Sequence, residues 1–162
     1  MMDKKNKILV VDDECDVVET VKNFLSRRGF EVNGAYNGEE ALSALERNKT
    51  DLILLDIRMP GLSGTEVARI AKERYPYIKI IVVTAYPETL KSLGGQDILE
   101  DVLIKPIGLW ELNNKLLEAL GDRETTLLEP TVKQDIKTTI ILVKMKILFA
   151  MLNLLAQNYR DN

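Results

Sequence analysis

The chain repeats one pattern: a short apolar run, an acidic or polar residue that closes it, then a longer stretch with apolar residues every three or four positions. The run Leu52–Leu55, between Asp51 and Asp56, has no polar member, as expected of a strand buried on both faces of a parallel sheet. Comparable runs at residues 8–11, 30–35, 78–83 and 102–104 predict four further strands. Between them, Val17, Val18, Val21, Phe24 and Leu25 mark one face of a helix ending near Gly29, with Arg27 and Arg28 in its last turn. A second helix over 39–48 turns Ala41, Leu42 and Leu45 inward, and a third over 64–75 does the same with Val67, Ile70 and Ala71 before Pro76 stops it. Pro87 opens a short helix that runs out at Gly94 and Gly95. A last one, Leu109–Leu120, buries Leu112, Leu116, Leu117 and Leu120 and ends at Gly121. Strands alternating with helices predict an α/β fold, a doubly wound parallel sheet covered on both faces.

Beyond Gly121 the pattern changes. Residues 122–130 read as a polar linker, and 131–162 contain neither proline nor glycine, so a helical C-terminal extension is expected. Ile136, Ile140, Val143, Ile147, Ala150 and Leu154 follow alternating spacings of four and three, a coiled-coil seam. Ile141, Leu142, Leu148, Phe149, Leu152 and Leu155 carry apolar surface well outside that seam and leave a narrow polar stripe. Such a helix calls for burial on most sides. Association between chains through 131–160 is the favoured reading, ahead of folding back on the domain before it. Membrane insertion is disfavoured because Lys144, Lys146 and Asn153 interrupt the apolar stretch.

Composition narrows the function classes. A net charge of −3 argues against a protein built to neutralise nucleic-acid phosphates, and no basic reading helix is evident, so no nucleic-acid partner is expected. One cysteine, Cys15, permits no intrachain disulfide, and the apolar run at 8–11 is too short for a signal-peptide core; a cytoplasmic location is expected. Cys15 itself reads as a small buried hydrophobe. The absence of histidine removes the commonest metal ligand and general base. Trp110 reads as a packing residue, with a partner-binding anchor as the alternative.

The chemistry gathers at the strand ends. Asp12 and Asp13 follow the first strand, Asp56 the third, Thr84 closes the fourth and Lys105 follows the fifth. Asp56 alone reads as a turn former. In a doubly wound sheet, however, all five residues share the carboxyl edge, where ligands bind. Three crowded carboxylates repel one another or must take up protons, and a hard divalent cation, Mg²⁺, resolves the conflict with oxygen ligands. Asp56 can then act as a nucleophile towards phosphorus, with Thr84 donating to one phosphoryl oxygen and Lys105 pairing with another.

Ile-Leu-Val-Val-Asp-Asp-Glu at 8–14, Asp-Ile-Arg-Met-Pro-Gly at 56–61 with Gly64, Val83-Thr84-Ala85 and Ile104-Lys105-Pro106 resemble the response-regulator receiver domain of two-component signalling, of the chemotaxis type. The resemblance covers residues 7 to about 121 and implies a receiver domain over 1–121 with a flavodoxin-like (βα)5 fold, strand order 2-1-3-4-5. It implies that Asp56 accepts a phosphoryl group from a sensor histidine kinase or a histidine phosphotransfer protein. Asp12, Asp13, Asp56 and the Arg58 backbone carbonyl would hold Mg²⁺, Thr84 would be the switch hydroxyl, and Lys105, before a cis bond to Pro106, would bind the acyl phosphate. Two departures stand out. Val102 occupies the position where many receivers carry a switch aromatic, and Arg58 and Tyr86 are large where the hydrolytic water would pass, which implies slow loss of phosphate. The expected role is a phosphorylation-dependent switch of protein association, with no catalysis beyond its own phosphoryl transfer and aspartyl-phosphate hydrolysis. Two alternatives remain: a degenerate receiver serving as a fixed interaction module, and a haloacid-dehalogenase-like Mg²⁺ phosphatase. The phosphatase wants a second Asp at position 58, which is arginine here.

Overall fold

The computed structural model describes residues 5–93 and 98–121. Its elements are β1 (Lys7–Val11), α1 (Cys15–Ser26), β2 (Glu31–Ala35), α2 (Gly38–Arg47), β3 (Leu52–Leu55), α3 (Gly64–Arg74), β4 (Lys79–Thr84), a 3₁₀ helix (Pro87–Leu93), β5 (Asp101–Ile104) and α4 (Leu109–Leu120). The strands form one parallel sheet in the order β2-β1-β3-β4-β5, the flavodoxin-like order expected.

Alternate residues of each central strand point to opposite faces, and both faces are covered. Leu9, Val11, Ile53, Leu55, Ile80 and Val82 pack with Ala41 and Leu45 of α2 and Val67, Ala68 and Ala71 of α3. On the other face Ile8, Val10, Leu52, Leu54 and Ile81 meet Val18, Val21 and Leu25 of α1 and Leu112, Leu116 and Leu117 of α4. Each large side chain so buried contributes about 1.5–3 kcal/mol, which explains why residues 8–11, 52–55 and 80–83 are all apolar.

The helix ends follow local chemistry. Ser63 caps α3 in a capping box, accepting from the Glu66 amide while the Glu66 carboxylate accepts from the Ser63 amide. Asn37 caps α2 by accepting from the Glu40 amide at 2.8 Å, and Gly121 ends α4 at φ 80°, in the left-handed region.

Four details differ from the pattern read along the chain. Helix α1 stops at Ser26, and Arg28 returns from beyond it to donate to the Phe24 carbonyl at 3.2 Å. Ala68 rather than Ile70 joins the buried face of α3, because the inward stripe runs 64, 67, 68, 71 and leaves Ile70 on its flank. The segment after Pro87 is 3₁₀ through Leu93, and its expected end at Gly94 and Gly95 lies outside the described residues. Cys15 is exposed, not buried: it is the first residue of α1, ahead of the stripe that begins at Val18. The linker at 122–130 and the helix at 131–160 lie outside the described residues. Among the described residues no helix is long and apolar enough to cross a membrane.

Candidate functional site

Strand register assembles the site. Val11 pairs with Leu55 across β1 and β3, so the residues that follow, Asp12 and Asp56, emerge side by side, and the Asp56 amide donates to the Val11 carbonyl at 2.9 Å. Thr84 pairs with Ile104 across β4 and β5, and the Lys105 amide donates to the Thr84 carbonyl at 2.9 Å. All the strand-end residues singled out above therefore sit on one edge, and the bond between Lys105 and Pro106 is cis.

Asp12 and Asp56 retain only 4% and 8% of their exposure, and Thr84 none. Buried carboxylates need partners, and these have them. The Lys105 ammonium stands 2.7 Å from Asp12 Oδ2 and 3.0 Å from Asp56 Oδ2. Asp56 Oδ1 accepts from the Ile57 amide at 2.7 Å and lies 3.4 Å from that of Arg58, while Asp12 Oδ1 accepts from the Glu14 amide at 3.0 Å. Burial pulls the Lys105 pKa down, but the hydrogen bonds to Asp12 and Asp56 outweigh it and hold the ammonium above the ordinary lysine value. Thr84 Oγ1 accepts from the Tyr86 amide at 3.1 Å, which leaves its proton free to be donated elsewhere.

The third acid, Asp13, is exposed, yet carboxylate oxygens of Asp12, Asp13 and Asp56 lie within 4.8 Å of one another. An all-carboxylate donor set on one open edge suits a hard cation such as Mg²⁺. Arg58 keeps its main chain at the site through its amide, and its guanidinium lies 3.8 Å from the Tyr86 ring centroid. The two bulky residues noted at these positions are thus one stacked pair, which no reading of separate motifs could reveal. Gly64 was legible as part of a motif but not for its reason. A Cβ there would stand 2.0 Å from the Asp56 carbonyl oxygen and 2.8 Å from Ile57 Cα, so α3 packs directly on the main chain that carries Asp56. Val102 is half-buried beside the core of the α2–α3 face. Trp110 packs edge-on to Phe24, ring centroids 5.8 Å apart, with Arg28 stacked 4.1 Å from its ring. A hollow of about 820 Å³ lined by Asn48, Thr50, Tyr75 and Tyr77 opens at the other end of the strands and holds none of the strand-end residues.

A 2-1-3-4-5 parallel sheet with a buried aspartate, a cluster of three carboxylates and a lysine at its carboxyl edge defines a flavodoxin-like domain of the receiver type. Comparison with known proteins agrees. The profile of the response regulator receiver domain matches residues 8–117. The chain is 34% identical over 144 residues to the alkaline phosphatase synthesis transcriptional regulatory protein PhoP of Bacillus subtilis, covering 88% of this chain and 60% of that one. It is 38% identical over 107 residues to the response regulator MprA of a Mycobacterium species, covering 65% of this chain and 46% of that protein. Among solved structures, a CheY-like receiver domain from Methanospirillum hungatei superposes with a TM-score of 0.69 at 29% identity, covering 75% of this chain and 98% of the other. The response regulator TrrA of Thermotoga maritima, in complex with Mg²⁺-BeF, does so at 0.64 and 38% identity, covering 70% and 98%. The chain belongs to the response regulator receiver family.

Proposed function

We propose that the chain is a phosphorylation switch in which Asp56 takes a phosphoryl group from a sensor histidine kinase or a histidine phosphotransfer protein in the cytoplasm. One observation carries this reading: Asp56 is a buried carboxylate with one oxygen held by main-chain amides and the other by Lys105. That arrangement fixes the position and orientation of the nucleophile. An Asp56 oxygen attacks phosphorus, the P–O bond forms as the P–N bond to the donor histidine breaks, and the leaving imidazole keeps the electron pair and takes up a proton. Lys105 passes from the carboxylate to a phosphoryl oxygen, and the Thr84 hydroxyl donates to another. Asp12, Asp13 and Asp56, with the Arg58 carbonyl, would hold Mg²⁺, which when bound offsets negative charge at the phosphoryl oxygens. The solved TrrA structure, in complex with Mg²⁺-BeF, supports Mg²⁺ as the cation.

The output we assign is association between proteins rather than nucleic-acid binding, with the apolar residues 131–160 joining copies of the chain. The seam at 136–154 and the net charge of −3 support it. A phosphatase of the haloacid-dehalogenase kind is disfavoured, because Arg58 replaces the second carboxylate and is stacked on Tyr86. A fixed, unphosphorylated module is disfavoured by the complete set of Asp56, Thr84 and Lys105. Radiolabelled acetyl phosphate with Mg²⁺ tests the chemistry: the label should be released by hydroxylamine, as an acyl phosphate is. A hydroxylamine-stable label would point to a hydroxyl acceptor and sink the proposal.

A further inference from the structure

Helices α1 and α4, which cover one face of the sheet, do not close against each other along their whole length. Between the two helices a groove of about 700 Å³ reaches down to the strands. Val10 and Leu54 form its floor, Val17 and Val21 line the α1 side, and Leu109 and Leu112 the α4 side. Its size falls in the range of small-molecule sites, roughly 300–1,000 Å³, and its interior is apolar as theirs are. Val17 and Leu109 remain partly open to water, a standing cost that an apolar occupant would relieve.

The mouth of the groove is charged, with negative groups in excess. Asp12, Glu14, Asp16 and Asp56 line it against a single cation, Lys105, which is already shared between Asp12 and Asp56. Glu14 and Asp16 are exposed and form no ion pair among the described residues. A carboxylate or phosphate entering here would meet unpaired negative charge, whereas an ammonium would meet two free acids at the rim of an apolar cleft.

We propose that this groove binds a small amphipathic cation, with its apolar body between α1 and α4 and its protonated amine at Glu14 and Asp16. The groove shares Asp12, Asp56 and Lys105 with the strand-end site. A bound amine and a divalent cation therefore draw on the same negative charge, and each weakens the other by the same factor. The groove gives the phosphoacceptor edge a second input that does not require phosphate. It is present whether or not Asp56 is a phosphoacceptor, so labelling from acetyl phosphate tests that reading and amine binding tests this one.

Tryptamine, indoleacetate and tryptophol share one apolar body and differ in the charge of the end group. Titrated into the full chain by calorimetry, tryptamine should bind at least about tenfold tighter than indoleacetate, some 1.4 kcal/mol. Amide NMR shifts should cluster at Val17, Thr20 and Leu109. Thr20 is an exposed α1 residue that lines the groove, and Thr20→Trp should fill the space and abolish binding. Glu14→Gln combined with Asp16→Asn should remove the preference for the amine while tryptophol still binds. The proposal is overturned if tryptamine binds no tighter than indoleacetate, if its shifts fall elsewhere on the chain, or if the double variant keeps the full preference.

Discussion

Replacing Lys105 with methionine keeps the stem and removes the cation paired with both Asp12 and Asp56, the one such cation among the described residues. In the intact site the ammonium lies 2.7 and 3.0 Å from the two carboxylates. Removing one member of such a cluster costs about 3–5 kcal/mol where the charges left behind are fully buried. Here the cost is reduced, because the Lys105 side chain is 23% exposed and each carboxylate keeps a main-chain amide, from Glu14 or Ile57. We expect Lys105→Met to lose about 2–3 kcal/mol in EDTA at neutral pH, a fall of about 10 °C in Tm. Mg²⁺ should bind the variant more tightly than the parent, since its competitor has gone, and should recover much of the lost stability. The pH dependence has a definite sign. The Lys105 pKa is raised in the folded protein, so the pairing contributes in full below the ordinary value of 10.5 and is lost as pH climbs through the higher folded value. The parent should show that alkaline loss and the variant should not. Asp13→Ala is the control: Asp13 is exposed, so its removal should weaken Mg²⁺ binding without loss of stability in EDTA. Urea unfolding with and without Mg²⁺ decides the matter. A Lys105→Met protein as stable as the parent in EDTA, or equally destabilised with and without Mg²⁺, would refute the reasoning.

Three further outcomes follow from the geometry. Gly64→Ala drives a methyl group into the Asp56 carbonyl, 2.0 Å away; because backbone cannot swing aside, the expected cost is about 3 kcal/mol or more, and a variant of unchanged Tm would count against it. Arg58→Ala removes half of the stack beside the acceptor, and the phosphorylated protein should lose its label several-fold faster while global stability falls by at most about 1 kcal/mol; an unchanged half-life would show that the pair does not shield Asp56. The full chain should sediment as a dimer or larger, with Ile147→Glu dissociating or aggregating it, and a monomeric full chain at micromolar concentration would contradict association through residues 131–160.

Much of this was readable because a doubly wound sheet is written in blocks. Leu52–Leu55 is wholly apolar since β3 is buried on both faces, and the residue that ends the block must lie at the carboxyl edge. Strand order and register then bring Asp12, Asp56, Thr84 and Lys105 together, so the site followed from the pattern of strand ends. What stayed hidden depends on how separate segments meet. Cys15 reads as a small apolar residue, but its place at the first turn of α1 leaves it in solvent. Arg58 and Tyr86 lie on different loops, and their stacking is a matter of distance, not of motif. Asn113 lies at helical spacing from Leu116 and Leu117 on the inward side of α4 and is buried, its Oδ1 without a hydrogen-bond partner among the described residues, a polar residue that a search for apolar positions passes over. The groove between α1 and α4 likewise arises from residues far apart in sequence, each of them an ordinary aliphatic side chain.

Intact mass after incubation with acetyl phosphate and Mg²⁺ tests the central claim most directly, on the full chain and on Asp56→Asn. The parent should gain the mass of one phosphoryl group, dependent on Mg²⁺ and absent in EDTA, and Asp56→Asn should gain none. Full labelling of Asp56→Asn, or a parent that takes no phosphoryl group with Mg²⁺ present, would contradict the assignment of Asp56 as the phosphoacceptor.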